Sequence, residues 1–281
     1  MGRRGFLLCL IGWVLWFGAA FPTCANAQPV GLLLVHGYAS GPDSWNQSGI
    51  LGFLEAQGWH FGGLLQAGPG GEVQRRLTAD HQDRLYYLVD LPSEAPLSAQ
   101  ADILQIMLSP FSRQQPHRLL FAIGHSAGGL ALRLAMVRYP TLGIQGLITI
   151  ATPNRGTDTA KLAHFLSQSP MAMVTPMLGL GTLNRSQNLY AELEPEQPGN
   201  FLFWLNHAPH PQARYLSIIR ESGGLTGIDP IVSTESQDLT QVAALRGRAE
   251  RMVSGTGHAL ETRDAQMMVG IVARWLADGH E

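Results

Sequence analysis

Six runs of nearly unbroken apolar residues constrain the fold of this chain more than any other feature. They are VGLLLVHG (Val30–Gly37), RLYYLVDLP (Arg84–Pro92), HRLLFAIGHS (His117–Ser126), IQGLITIATP (Ile144–Pro153), ARYLSIIRES (Ala213–Ser222) and ERMVSGTGH (Glu250–His258). Apolar character that runs on, rather than alternating, marks strands covered on both faces. Helix-like stretches separate them. QSGILGFLEAQGW follows the first run, SAQADILQIMLSPF the second and AGGLALRLAMVRYP the third, and ETRDAQMMVGIVARWLADG closes the chain. In the second stretch Ser98 stands as an N-cap, and Leu104, Met107 and Leu108 share one face. Pro140 lies just past the end of the third. This βαβα rhythm predicts an α/β fold: a mostly parallel sheet of about six strands with helices on both faces.

The chain has 281 residues, 45% of them hydrophobic, enough for one large core. Its first 27 residues form a separate object. Arg3 and Arg4 precede the uncharged run Gly5–Phe21, and Ala25 and Ala27 give an A-x-A site in CANAQP. This three-part layout predicts a signal peptide cleaved after Ala27, with an uncleaved anchor as the alternative. Export to the periplasm or beyond follows, with residues 28–281 as one domain. Cys9 and Cys24, the only cysteines, lie in that segment. The mature chain therefore holds no disulfide, thiolate metal site or cysteine nucleophile. Losing Arg3 and Arg4 takes the net charge from −2 to −4. Such a chain offers no broad basic surface for nucleic acid.

One region breaks the rhythm. Residues 157–212 carry no convincing strand, yet PMAMVTPMLGLGTL and NFLFWLNHAPHP are too apolar for a disordered linker. Two readings stand together: an extra helical layer, and a cap whose Met171, Met173, Met177, Leu178 and Trp204 line an acyl pocket. The same surface would suit contact with a membrane.

The sequence GHSAGG ends the third run and opens a helix. A serine on so sharp a strand-to-helix turn is pushed out of the sheet edge, with Gly124 and Gly128 letting strand and helix approach. Ser126 is thus the candidate nucleophile, and the Ala127 N–H at the helix N-terminus a candidate oxyanion donor. A serine nucleophile needs a base, and the base an orienting acid. His258, in SGTGHALE after the last run, is the candidate base. His164, His207 and His210 fall in the insertion, where His207 and His210 read as surface or cap residues, and His280 falls at the terminus. Asp229, followed by Pro230, Ile231 and Val232, is the favoured acid, with Glu235 and Asp238 as rivals or helix caps. The loop LLVHGYAS supplies a second donor, the Tyr38 N–H, which Gly37 frees to turn. His36 and Asp90 read as loop-shaping residues.

LLLVHGYASGPDSW, AIGHSAGGLALR, IATPNRGTDTAKLA, YAELEPEQPGNFLFWLN, GIDPIVSTESQDL and GTGHALE together resemble the α/β-hydrolase superfamily. The likeness is to its secreted bacterial lipases and esterases and to the related GPI-inositol-deacylase-like (PGAP1-like) group. It runs from about Val30 to Leu276. The resemblance implies a Ser126–His258–Asp229 triad, Tyr38 and Ala127 as backbone donors, and ester hydrolysis without a cofactor. Pro230 stands where the family's acid loop often has glycine, and the paired cysteines of many secreted lipases are absent. The structural calcium of some such lipases finds no residue-by-residue match. The expected function is hydrolysis of acyl esters, small or lipid. Acyl transfer, thioester or peptide cleavage on the same triad, and non-catalytic lipid binding on a hydrolase scaffold, are the alternatives.

Overall fold

The structure, a computed structural model, describes residues 28–67, 73–77, 82–158, 186–220 and 229–279. The proposed signal peptide lies outside these. Eight strands follow in order: β1 (Val30–Val35), β2 (His60–Ala67), β3 (Val73–Leu77), β4 (Arg84–Asp90), β5 (Leu119–His125), β6 (Ile144–Ile150), β7 (Arg214–Ile219) and β8 (Ala249–Val253). They form one sheet in the order β3-β2-β4-β1-β5-β6-β7-β8. Only β2 and β3 pair antiparallel.

Six strands coincide with the six apolar runs. The sheet is wider than the expected six by the β2–β3 hairpin at one edge. Its sequence signal is weak because β2 contains the pair Gly62-Gly63 and β3 reads VQRRL. The first glycine has a packing reason: a Cβ on Gly62 would lie 2.5 Å from Cε1 of Tyr87 on β4.

The helices are α1 (Ser44–Gln47), α2 (Ile50–Ala56), α3 (Leu97–Gln114), α4 (Ala127–Arg138), α5 (Gln187–Leu193), α6 (Phe201–His207), α7 (Thr234–Gln237) and α8 (Thr262–Asp278). Alternate residues of β1 feed opposite cores. Leu33 and Val35 pack with α3, α4, α5 and α6 through Leu104, Met107, Leu130, Leu134, Leu189 and Leu205. Leu32 and Leu34 pack with α2 and α8 through Ile50, Leu54, Met268, Ile271 and Trp275. Each fully buried Leu or Ile contributes about 1.5–3 kcal/mol, so both layers are strongly held. Ser98 is not the N-cap of α3: the helix begins at Leu97 after Pro96, whose fixed φ suits the entry, and the Glu192 carboxylate from α5 accepts from the Leu97 N–H.

Topology places the site. After β1 the chain moves outward to β2, β3 and β4, then returns to β5 on the other side of β1 and continues the opposite way. The carboxyl ends of β1 and β5 therefore flank a topological switch point, where open α/β sheets form their crevices. In the insertion, α5 and α6 are helical as expected, while residues 159–185 lie outside the described residues. No helix among the described residues is long and apolar enough to cross a membrane.

Candidate active site

Between the end of β5 at His125 and the start of α4 at Ala127, Ser126 alone makes the turn. Its backbone sits at φ 52°, ψ −131°, a region L-residues avoid at a cost of about 1–3 kcal/mol. The surroundings fix it there. Its N–H donates to the Ile150 carbonyl at 2.9 Å, and its carbonyl accepts from the Gly129 N–H at 3.1 Å. A Cβ on Gly124 would lie 2.4 Å from the Gly129 Cα, so this glycine lets β5 and α4 meet, as its place in the motif predicts. Gly128 serves a different neighbour: its Cβ would lie 2.1 Å from the His36 carbonyl oxygen, so it seats α4 against β1.

The sequence candidates Ser126, His258 and Asp229 come together in a line. His258 Nδ1 lies 2.8 Å from Asp229 Oδ2, and its Nε2 lies 2.9 Å from Ser126 Oγ. A carboxylate only accepts, so Nδ1 carries the proton and the Nε2 lone pair faces the serine hydroxyl. Asp229 Oδ1 accepts from the N–H groups of Ile231 at 2.9 Å and Val232 at 3.0 Å. Burial alone would raise the Asp229 carboxyl. The hydrogen bond and charge of His258, then the two backbone donors, outweigh it and hold the acid below its ordinary value. Asp229 is thus ionised at neutral pH. Glu235 is exposed on α7. Asp238 accepts from the Thr240 N–H at 2.9 Å and pairs with Arg251 at 3.1 Å, which makes it a cap.

Several groups that support this line carry no sequence signal of their own. Arg220, at the end of β7, is fully buried and pairs with the equally buried Asp264 through both guanidinium nitrogens, at 2.7 and 2.8 Å. The same nitrogens donate to the carbonyls of Ser254 and Ala259, both at 2.8 Å. Those carbonyls bracket His258, so one ion pair clamps both ends of its loop. His125 Nε2 lies 2.8 Å from the His258 carbonyl and must donate to it. Burial, with the charge of His258, pulls His125 down to about 3, so it stays neutral. Asp264 alone left a trace in the sequence, as the fourth residue of the capping box Glu261–Asp264.

The loop after β1 closes the other side. Val35 pairs with Gly124, which brings Gly37 level with Ser126. A Cβ on Gly37 would lie 2.8 Å from the Ser126 Cβ. The Tyr38 and Ala127 N–H groups have no acceptor among the described residues. His36 is buried and faces the loop, as expected. Its Nε2 accepts from the Leu91 N–H at 3.2 Å, so Nδ1–H donates to the Gly37 carbonyl at 3.0 Å. Asp90 Oδ1 lies 3.4 Å from His36 Nε2, which in this tautomer has no proton to give it.

The insertion reaches this loop directly. The Tyr38 hydroxyl lies 2.7 Å from that of Tyr190 on α5 and donates to Ser186 Oγ at 3.0 Å. Trp204 stands on α6, 50% exposed and 6.1 Å from the Phe201 ring. The other pocket candidates, Met171, Met173, Met177 and Leu178, lie outside the described residues, as do His164 and His280. His207 is exposed, as expected. His210 is not a surface residue: it is buried against Tyr215, and burial with the charge of Arg133 pulls it down to about 4. Among the described residues no group of three or more His, Cys, Asp or Glu side chains is placed to hold a metal ion.

No protein-family model and no curated protein matches this sequence. Its structure does match solved ones. A Listeria innocua protein superposes with a TM-score of 0.56 at 15% identity, over 82% of this chain and 85% of its own. The mature Bacillus licheniformis lipase BlEst2 gives 0.54 at 15%, over 90% and 93%. A protein described as a cell surface hydrolase from Lactobacillus plantarum gives 0.53 at 14%, over 89% and 92%. At such identities the likeness speaks of architecture rather than substrate. The parallel sheet, the helices on both its faces and these likenesses together show that the chain has the α/β-hydrolase fold.

Proposed function

We propose that this protein is an exported serine hydrolase that cleaves carboxylic esters, in the manner of a lipase or esterase. The observation that carries the reading is the unbroken line Asp229–His258–Ser126, at 2.8 and 2.9 Å, with the serine on a strained turn. His258 takes the Ser126 proton as the oxygen attacks the ester carbonyl. Ionised Asp229 stabilises the imidazolium and holds its tautomer. The Tyr38 and Ala127 N–H groups receive the developing oxyanion, helped by the N-terminus of α4. His258 then protonates the leaving alcohol. Water, activated by the same imidazole, attacks the acyl-enzyme and releases the acid and Ser126.

The ester class draws support from the sequence resemblance and from the lipase among the solved likenesses. The insertion supports an acyl group under cover. Its helix α5 is joined to the oxyanion loop through Tyr38, and its Met171, Met177, Leu178 and Trp204 are the apolar candidates for the acyl wall. Residues 1–27 carry the export signal, and the cap provides the surface that meets a lipid interface.

The test is a series of p-nitrophenyl esters from acetate to laurate on the purified protein. The expected result is kcat/KM rising with chain length, since each buried methylene adds about 0.8 kcal/mol. A sharp preference for acetate would remove the lipase-like part of the reading. No turnover of any ester in the series would remove the hydrolase.

A further inference from the structure

A buried amide stands behind the acid. Gln237, the last residue of α7, is 1% exposed, and its side chain is fully engaged. Nε2 donates to Asp229 Oδ2 at 3.1 Å and to the Val232 carbonyl at 2.9 Å. Oε1 accepts from the Arg220 backbone N–H at 2.8 Å. That N–H can only donate and the Val232 carbonyl only accept, so the amide is fixed in one orientation. Behind Gln237 the polar chain continues. Its backbone carbonyl accepts from Asn154 Nδ2 at 2.9 Å. Asn154 Oδ1 in turn accepts from Nη1 of Arg133 at 3.2 Å, a fully buried side chain on α4.

We propose that Gln237 is a positioning residue for the acid, one that sets the rotation of the Asp229 carboxylate and draws off part of its charge. The inference rests on the Ser126–His258–Asp229 reading. The two backbone donors hold Oδ1 and leave the carboxylate free to swing about that end. Gln237 and His258 approach Oδ2 from two sides and define where it stops. With the Gln237 donor gone, Oδ2 answers to His258 alone. The oxygen is then less well placed, and its charge falls entirely on the imidazole. Two further sets of ionisable groups surround the pair, and the side-chain hydrogen bonds of Gln237 reach the side chain of neither. From β5, His125 places its ring 5.2 Å from that of His258. From β7, Arg220 is matched by Asp264.

The experiment follows kcat and kcat/KM for p-nitrophenyl butyrate against pH in wild type, Q237M and Q237E, with circular dichroism confirming the fold. Losing a hydrogen bond to a charged group lowers kcat in Q237M by about tenfold to a hundredfold. Its acidic limb moves to higher pH. An unchanged kcat, or a loss that leaves the limb where it was, overturns the inference, because packing alone would do no more. Q237E is an independent arm. A protonated carboxyl keeps the acceptor for the Arg220 N–H and one donor in place of the amide's two, whereas an ionised one repels Asp229. Its rate relative to wild type therefore falls as pH rises, and a flat ratio overturns the inference even if Q237M does not fold. A wild type that turns over no ester would defeat the hydrolase reading itself, a result distinct from any behaviour of the variants.

Discussion

Replacing Asp229 with Asn is expected to lower kcat about ten-thousandfold while leaving the protein folded. The reason lies in the four contacts of the carboxylate. Ile231 N–H, Val232 N–H, Gln237 Nε2 and His258 Nδ1 all donate to it. An asparagine has one acceptor and one donor. Its oxygen stays with the two backbone N–H groups, which cannot turn away, and its NH2 then faces Gln237 and His258. The imidazole responds by carrying its proton on Nε2, the nitrogen that faces Ser126 at 2.9 Å. In that tautomer it cannot take the serine proton. The measurement is kcat on p-nitrophenyl butyrate beside a thermal melt. A variant that keeps more than about a tenth of wild-type kcat would remove Asp229 from the acid's role.

The second large effect concerns stability. Asp264→Ala is expected to destabilise the fold by about 3–5 kcal/mol, because it leaves the Arg220 guanidinium buried without its counter-charge. Both side chains are wholly buried, and Arg220 also holds the Ser254 and Ala259 carbonyls on either side of His258. The loss should therefore appear both as a lower urea midpoint and as weakened activity below that midpoint. Substituting both partners with apolar residues, R220M with D264L, should recover part of the stability but not the placement of the His258 loop. An unchanged urea midpoint in Asp264→Ala contradicts this account of the pair.

How far the sequence could be read depended on how local each determinant is. Buried parallel strands announce themselves by unbroken apolar residues, so β1, β4, β5, β6 and β7 were legible; β8 was found too, but it is an edge strand whose residues are partly or fully exposed rather than covered on both faces. The β2–β3 hairpin was not legible, because it lies at the edge of the sheet and Gly62 answers to the Tyr87 ring rather than to burial on two faces. Ser126 could be found because a strand, a serine between small residues and a helix occur within a dozen positions. His258 and Asp229 could be found because each stands in a loop directly after a strand. Asp238 competes with Asp229 on spacing alone, and only its own contacts, to Thr240 and Arg251, take it out of the running. Gln237, Arg220 and His125 were invisible for a physical reason. Arg220 and His125 act far along the chain, across 44 positions to Asp264 and 133 to His258, while Gln237 stands eight positions from Asp229 with no motif to mark it. Nothing in the neighbouring sequence of such residues differs from that of any buried polar side chain.

The central claim is that Ser126 is a nucleophile made reactive by its neighbours, and the most direct measurement is covalent labelling by a fluorophosphonate, read by intact mass and peptide mapping. The account predicts one adduct per chain, located on the peptide that contains Ser126, absent in Ser126→Ala and strongly slowed in His258→Ala. Labelling that persists in Ser126→Ala, or a wild-type protein that binds a lipid ester yet takes no label, would contradict it.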